Sequence, residues 1–179
     1  MALLSPIQDG AMWGIADWIR IKPRITQKFG NDLVINGVHV YQEMGLNGHD
    51  GIDYGVPSGT VIFAPKDGII KVKDSGDSGY GLHFKIRNAE DAQEFVGGHL
   101  SKVLVADGQR VHMGDKIALS GNSGFSTADH FHGGFRLLKP SDKDLFSWEV
   151  LDYNNGYFGY IDYQEFEICF KGNQLKNSL

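Results

Sequence analysis

Thr60-Val61-Ile62-Phe63-Ala64-Pro65-Lys66-Asp67-Gly68-Ile69-Ile70-Lys71-Val72-Lys73 carries two short runs of β-branched and aromatic residues either side of a Lys66-Asp67-Gly68 turn. Runs of this length and composition, bounded by Gly and Pro, read as strands rather than helices. Downstream, Leu82-His83-Phe84-Lys85-Ile86-Arg87 alternates apolar and polar residues, the pattern of a strand with one buried face. Upstream, Asn36-Gly37 sits between Val34-Ile35 and Val38, the strongest short-range signal for a tight hairpin. The 24 glycines of the 179-residue chain point the same way, because Gly is costly inside helices. The expected class is mainly β with an antiparallel sheet.

Further strands are expected through Glu94-Phe95-Val96 towards His99, within Leu104 to Leu119, and from His130 to Leu138, with a turn-rich loop from Gly121 to Asp129. Ala11 to Ile21 shows weak three-and-four spacing of Met12, Ile15, Trp18 and Ile19, so a short helix ended by Pro23 is expected there. Residues 139–179 hold Trp148, Tyr153, Tyr157, Phe158, Tyr160 and Phe166, an aromatic density expected of a tail packed on the core. There is no repeat, linker or low-complexity segment. The chain therefore reads as one domain over 1–179, with an N-terminal extension and first hairpin over 1–44, a core over 45–138 and the aromatic tail over 139–179.

Composition narrows the function. With 17 Lys and Arg against 22 Asp and Glu, the formal net charge is −5, which argues against a nucleic-acid partner. The single Cys169 rules out an intramolecular disulfide and any C-x-x-C site. No apolar run approaches about 18 residues, so no membrane span is expected. The segment Met1 to Asp9 lacks a basic start and a continuous apolar stretch, and does not read as a secretory signal peptide.

Histidine placement carries the chemistry. Gly48-His49-Asp50-Gly51-Ile52-Asp53 offers an imidazole and a carboxylate on a loop entering a strand, and Asp129-His130-Phe131-His132 offers two imidazoles. On a strand, residues two apart share a face, with Cβ atoms roughly 6–7 Å apart. His49, Asp53 and one of the pair His130/His132 make three ligands for a borderline-soft cation. That count is typical of catalytic zinc, which keeps a fourth position for water. His99, after Gly97-Gly98, adds one more imidazole. Taken singly, each of these has an ordinary structural explanation: a turn-stabilising Asp, or a His bonded to backbone. Their conjunction on segments bordering strands is what favours a site. His39, His83 and His112 lack such a setting and read as structural. No G-x-S-x-G elbow is present, and Gly76-Asp77-Ser78-Gly79 is no phosphate loop. Asp152-x-Asn154-x-Gly156 has its Gly one position early for a calcium loop.

These residues also form an ordered series. His49-Asp50-Gly51-Ile52-Asp53-Tyr54-Gly55-Val56-Pro57-Ser58-Gly59-Thr60 is followed by Ala64-Pro65-Lys66-Asp67-Gly68, Gly79-Tyr80-Gly81, Gly98-His99-Leu100-Ser101 and Gly108-Gln109-Arg110-Val111. Gly114-Asp115-Lys116-Ile117-Ala118-Leu119-Ser120-Gly121-Asn122-Ser123-Gly124, Ser126-Thr127 and His130-Phe131-His132 complete it. Across residues 45 to 137 the series resembles the lysostaphin/LytM-type zinc metalloendopeptidases. The resemblance implies a twisted antiparallel β-sheet core with a loop-walled groove. It implies one Zn²⁺ per chain on His49, Asp53 and His132, with His99 and His130 as the catalytic pair. It further implies hydrolysis of peptide bonds in bacterial peptidoglycan stems or cross-bridges through a zinc-activated water. The chain departs from the family at Gly97, where Tyr is common, and at Gly133-Gly134, where an apolar residue and Glu are common. The competing expectation is a non-catalytic peptidoglycan-binding, regulatory or virion-tail module; the presence of all five site residues favours catalysis. Action on the cell wall, outside the cytoplasm, by a chain of phage origin is the accompanying expectation.

Overall fold

In the computed structural model the structure describes residues 3–4, 23–163 and 167–168. The helix expected over 11–21 and the tail residues 164–166 and 169–179, Phe166 among them, lie outside the described residues. In chain order the strands are β1 (Leu3–Leu4), β2 (Arg24–Gln27), β3 (Val34–Ile35), β4 (Val38–His39), β5 (Ile52–Gly55), β6 (Val61–Phe63), β7 (Gly68–Asp74) and β8 (Leu82–Asn88). They continue with β9 (Gln93–Gly98), β10 (Leu100–Val103), β11 (Arg110–Val111), β12 (Lys116–Ser120), β13 (Phe131–Leu137), β14 (Tyr160–Ile161) and β15 (Glu167–Ile168). Among the described residues, helix is confined to one turn, α1 (Val40–Glu43), and a 3₁₀ turn at Leu145–Ser147.

An eight-stranded sheet runs β11-β7-β8-β9-β13-β5-β2, with β14 also paired to β13. Every pairing within it is antiparallel. A second antiparallel sheet runs β10-β12-β6. The β3–β4 hairpin turns through Asn36 and Gly37 at φ 51° and 81°, the left-handed pair that a two-residue type I′ turn requires.

The two runs that opened the sequence are strands, β6 and β7, but they do not pair with each other. Between them the Ala64 amide donates to the Asp115 carbonyl and the Ala64 carbonyl accepts from Gly114. Pro65 has no N–H to offer a ladder. The chain therefore leaves β12 at this point and crosses into the large sheet beside β8 and β11.

Alternation along the central strands gives the large sheet two different faces. Phe84 and Ile86 on β8, Phe95 on β9, Phe131 and Phe135 on β13, and Ile52 and Tyr54 on β5 point into one hydrophobic core, joined there by Ile62, Ile117 and Tyr163. Each fully buried side chain of this size contributes about 1.5–3 kcal/mol. The residues between them face the other way. Asp53 lies opposite His132, His132 opposite Gly98, and Arg136 and Arg87 both opposite Glu94. This second face is polar yet buried. At one end sits Glu94, with no exposed surface. It accepts from Arg136 Nε at 2.7 Å and Nη2 at 2.6 Å and from Arg87 Nε at 2.5 Å, with Lys85 Nζ at 3.8 Å. At the other end sit the histidines.

Glycine makes room on both faces. A Cβ at Gly97 would lie 2.3 Å from the Phe84 ring, and one at Gly133 would lie 2.4 Å from the Tyr163 hydroxyl. On the polar face Gly98 lies under Tyr80, and Gly134 under Tyr160. The positions where the chain departs from the family pattern are thus filled by aromatic rings from neighbouring segments.

Candidate metal centre

His49 leaves the loop before β5, Asp53 projects from β5, and His132 projects from β13 directly across from Asp53. Three donor atoms converge. His49 Nε2 lies 3.1 Å from His132 Nδ1 and 3.2 Å from Asp53 Oδ1, and His132 Nδ1 lies 3.0 Å from the same oxygen. A four-coordinate ion with bonds of about 2.0–2.1 Å would need ligand–ligand edges of roughly 3.3 Å. The triangle therefore fits a small tetrahedral cation, and its donor set of two imidazoles and one carboxylate suits zinc.

The remaining ring nitrogens bear on the same question. His49 Nδ1 is 3.2 Å from the Lys28 carbonyl. Donation there leaves the Nε2 lone pair free to ligate. His132 Nε2 is buried without a hydrogen-bond partner among the described residues, and its nearest charged neighbour is Asp50 Oδ1 at 3.7 Å. His49, Asp50 and His132 also present donor atoms within 4.8 Å of one another. Of the two carboxylates, Asp53 is the better ligand: its Oδ1 is within 3.2 Å of both imidazoles, whereas Asp50 faces the far edge of the His132 ring and is engaged by the Tyr80 hydroxyl. Burial acts to raise the Asp53 carboxyl. The hydrogen bonds and charges of His132 and His49 outweigh it, holding the group well below the usual carboxylate range.

His99 and His130 stand beside the triangle, their ring centroids 4.6 Å apart. His130 sits just before β13, bridged to Gly121, with Nε2 3.7 Å from Asp53 Oδ1. Its Nδ1 lies 2.8 Å from the Ala128 carbonyl. His99 Nδ1 lies 2.8 Å from the Ser123 carbonyl. Burial, with His132 nearby, pushes the His99 imidazole down to about 4, so it is neutral near pH 7 and its Nε2 carries a free lone pair. His99 also has φ 59°, a left-handed conformation uncommon for a residue with a side chain. Both imidazoles are thus aimed by backbone carbonyls of the Gly121–His130 loop.

All five residues singled out in the sequence lie together. The histidines read as structural are elsewhere: His39 pairs with Asp32 at 2.5 Å, His83 is bonded to the Gly81 carbonyl, and His112 is exposed. Sequence reasoning missed Asp50 and Tyr80. The Tyr80 ring stacks on His132 at 5.0 Å and its hydroxyl bonds Asp50. Asp50 adjoins His49, but nothing in a linear pattern says that a carboxylate next to a ligand faces a different histidine.

The family model for peptidase family M23 matches residues 47–143, just over half of the chain and all five of these residues. The chain belongs to peptidase family M23. Among its curated relatives, two match half of it or slightly less. It is 33% identical over 84 residues to the peptidoglycan DD-endopeptidase ShyA of Vibrio cholerae, covering 47% of this chain and 19% of that protein. It is 38% identical over 95 residues to the glycyl-glycine endopeptidase ALE-1 of Staphylococcus capitis, covering 50% and 25%. The chain spans a quarter or less of either relative's length. The catalytic domain of lysostaphin from Staphylococcus simulans superposes with a TM-score of 0.58 at 24% identity, covering 80% of this chain and 91% of that one, which shows a shared fold. No helix of the described residues is long and apolar enough to cross a membrane.

Proposed function

We propose that this chain is a zinc-dependent endopeptidase that hydrolyses peptide bonds in the stems or cross-bridges of bacterial peptidoglycan. In this reading His49, Asp53 and His132 hold one Zn²⁺, and His99 and His130 are the catalytic pair. The observation that carries it is the donor triangle of 3.0–3.2 Å edges with two further imidazoles beside it. The relatives named for peptidoglycan and glycyl-glycine bonds support the substrate class.

When bound, the metal supplies a positive charge that acidifies a water and polarises the scissile carbonyl. The protein supplies the rest. His99 and His130, each anchored through Nδ1, present Nε2 towards the reacting region. Between them they take a proton from the attacking water and return one to the departing amine as the C–N bond breaks. Burial of the polar face lowers the local dielectric, so these charges act more strongly than in water.

The test is digestion of purified peptidoglycan by metal-stripped and zinc-reloaded protein, with the new amino groups quantified. Activity that vanishes on stripping and returns at one zinc per chain supports the reading; full activity in the stripped protein contradicts it. His99→Ala is expected to keep zinc near one per chain while turnover falls by about 10²–10⁴. Normal turnover would remove His99 from the catalytic pair.

A further inference from the structure

On the buried polar face, the metal ligand His132 has a nitrogen that nothing accounts for. To ligate through Nδ1, its proton must sit on Nε2, and that atom has no hydrogen-bond partner among the described residues. The charged group on that side is the Asp50 carboxylate, 3.7 Å away. Two tyrosines stand behind Asp50. The Tyr80 hydroxyl bonds its Oδ2, and Tyr160 lies on the same face, over Gly134. Each tyrosine has one proton. Tyr80 gives its own to Asp50. Tyr160 is fixed in turn: the Arg136 guanidinium lies 4.7 Å over the Tyr160 ring and is itself clamped on Glu94. Gly98 and Gly134 have no side chain on this face, and the two tyrosines occupy that room.

We propose that Asp50 is a positioning residue for His132. Its carboxylate, 3.7 Å from Nε2, faces the Nε2–H with its charge, favours the ring orientation with Nδ1 towards the metal, and is itself held by the Tyr80 hydroxyl. The proposal rests on the reading of His49, Asp53 and His132 as zinc ligands. It also bears on β14, which carries Tyr160 and lies beyond the family match. Outer partners of metal-bound histidines generally change metal affinity by about 10–100-fold when removed.

The experiment is the zinc dissociation constant, measured by competition with a chromogenic chelator, for the full chain and for Asp50→Ala, Asp50→Asn, Tyr80→Phe, Tyr160→Phe and the double variant Asp50→Ala/Tyr80→Phe. Asp50→Ala is expected to weaken zinc about 10–100-fold. Asp50→Asn should lose less, since its amide oxygen still faces Nε2–H. Tyr80→Phe and Tyr160→Phe keep the rings and should give smaller losses in the same direction. Tyr80→Phe should cost nothing further once Asp50 is gone, because it acts only through the carboxylate. Should Asp50→Ala not fold, the two tyrosine variants decide. Affinities within twofold of the parent throughout overturn the proposal. So does an Asp50→Asn loss equal to that of Asp50→Ala with Tyr80→Phe unaffected, the signature of Asp50 as a direct ligand. A parent protein that binds no zinc, or a His49→Ala variant that binds it normally, overturns the ligand assignment itself.

Discussion

At the scale of single residues, the site depends on what is absent as much as on what is present. Gly51 shows this. A Cβ there would lie 2.5 Å from His132 Cε1, 2.7 Å from Nε2 and 2.3 Å from the Gly133 carbonyl oxygen. The backbone carbonyl cannot yield, so the imidazole must rotate away from the triangle. Gly51→Ala is therefore expected to weaken zinc by at least about tenfold, as loss of ligand orientation does. The chelator competition that reports Asp50 also reports this, and unchanged affinity would show that the ring tolerates displacement. His99 makes a related case, since its left-handed φ is held by Tyr80 O accepting from the His99 amide at 2.9 Å and by Nδ1 on Ser123. That these five residues gather was readable in sequence because each is a titratable residue within an ordered series. Asp50 and Tyr80 were not, because their roles depend on which edge of a ring they face.

At the scale of elements, register does the work that spacing along the chain cannot. His132 lies 79 residues from Asp53 in sequence, yet the two are direct cross-strand partners. The strand pattern was legible wherever alternation was clean, as along Leu82 to Arg87, and the Asn36-Gly37 turn was legible from its chemistry. Pairing was less so. β6 and β7 are consecutive with a short turn between them, but the turn spends its hydrogen bonds on Gly114 and Asp115, which sends them to different sheets. The glycines of β9 and β13 were equally opaque, since their purpose is set by rings arriving from elsewhere. Gly97→Ala should accordingly destabilise the fold by about 1–3 kcal/mol through overpacking against Phe84 and Phe131. Chemical denaturation measures it, and a neutral result would mean that Phe84 repacks freely.

For the molecule as a whole, the large sheet separates two tasks. One face is a hydrophobic core and the other a buried polar surface with Glu94 at one end and the histidines at the other. Composition and alternation showed the first face. The second was hidden, because nothing in the linear pattern shows that Lys85, Arg87, Glu94 and Arg136 gather under cover. Removing one partner of a buried charge cluster typically costs about 3–5 kcal/mol. Glu94→Gln is expected to cost that much, with Arg87 and Arg136 left facing each other. A loss below about 1 kcal/mol would mean that solvent reaches the cluster. The same group sets an acid limit. Burial acts to raise Glu94, but Arg136, Lys85 and Arg87 outweigh it and hold the folded value below the ordinary 4.5. The unfolded chain therefore binds the proton first as pH falls. The contribution of Glu94 is complete above about pH 5 and is lost as pH drops through the folded value. Melting temperatures between pH 6 and pH 3 should fall more steeply for the parent than for Glu94→Gln, and parallel curves would contradict the assignment.

The most direct measurement is anomalous diffraction at the zinc absorption edge from crystals of the zinc-loaded protein. The expected result is one peak per chain, about 2.0–2.2 Å from His49 Nε2, Asp53 Oδ1 and His132 Nδ1 together. A peak bound instead to Asp50 and the far edge of His132, or no peak at these side chains, would contradict the account.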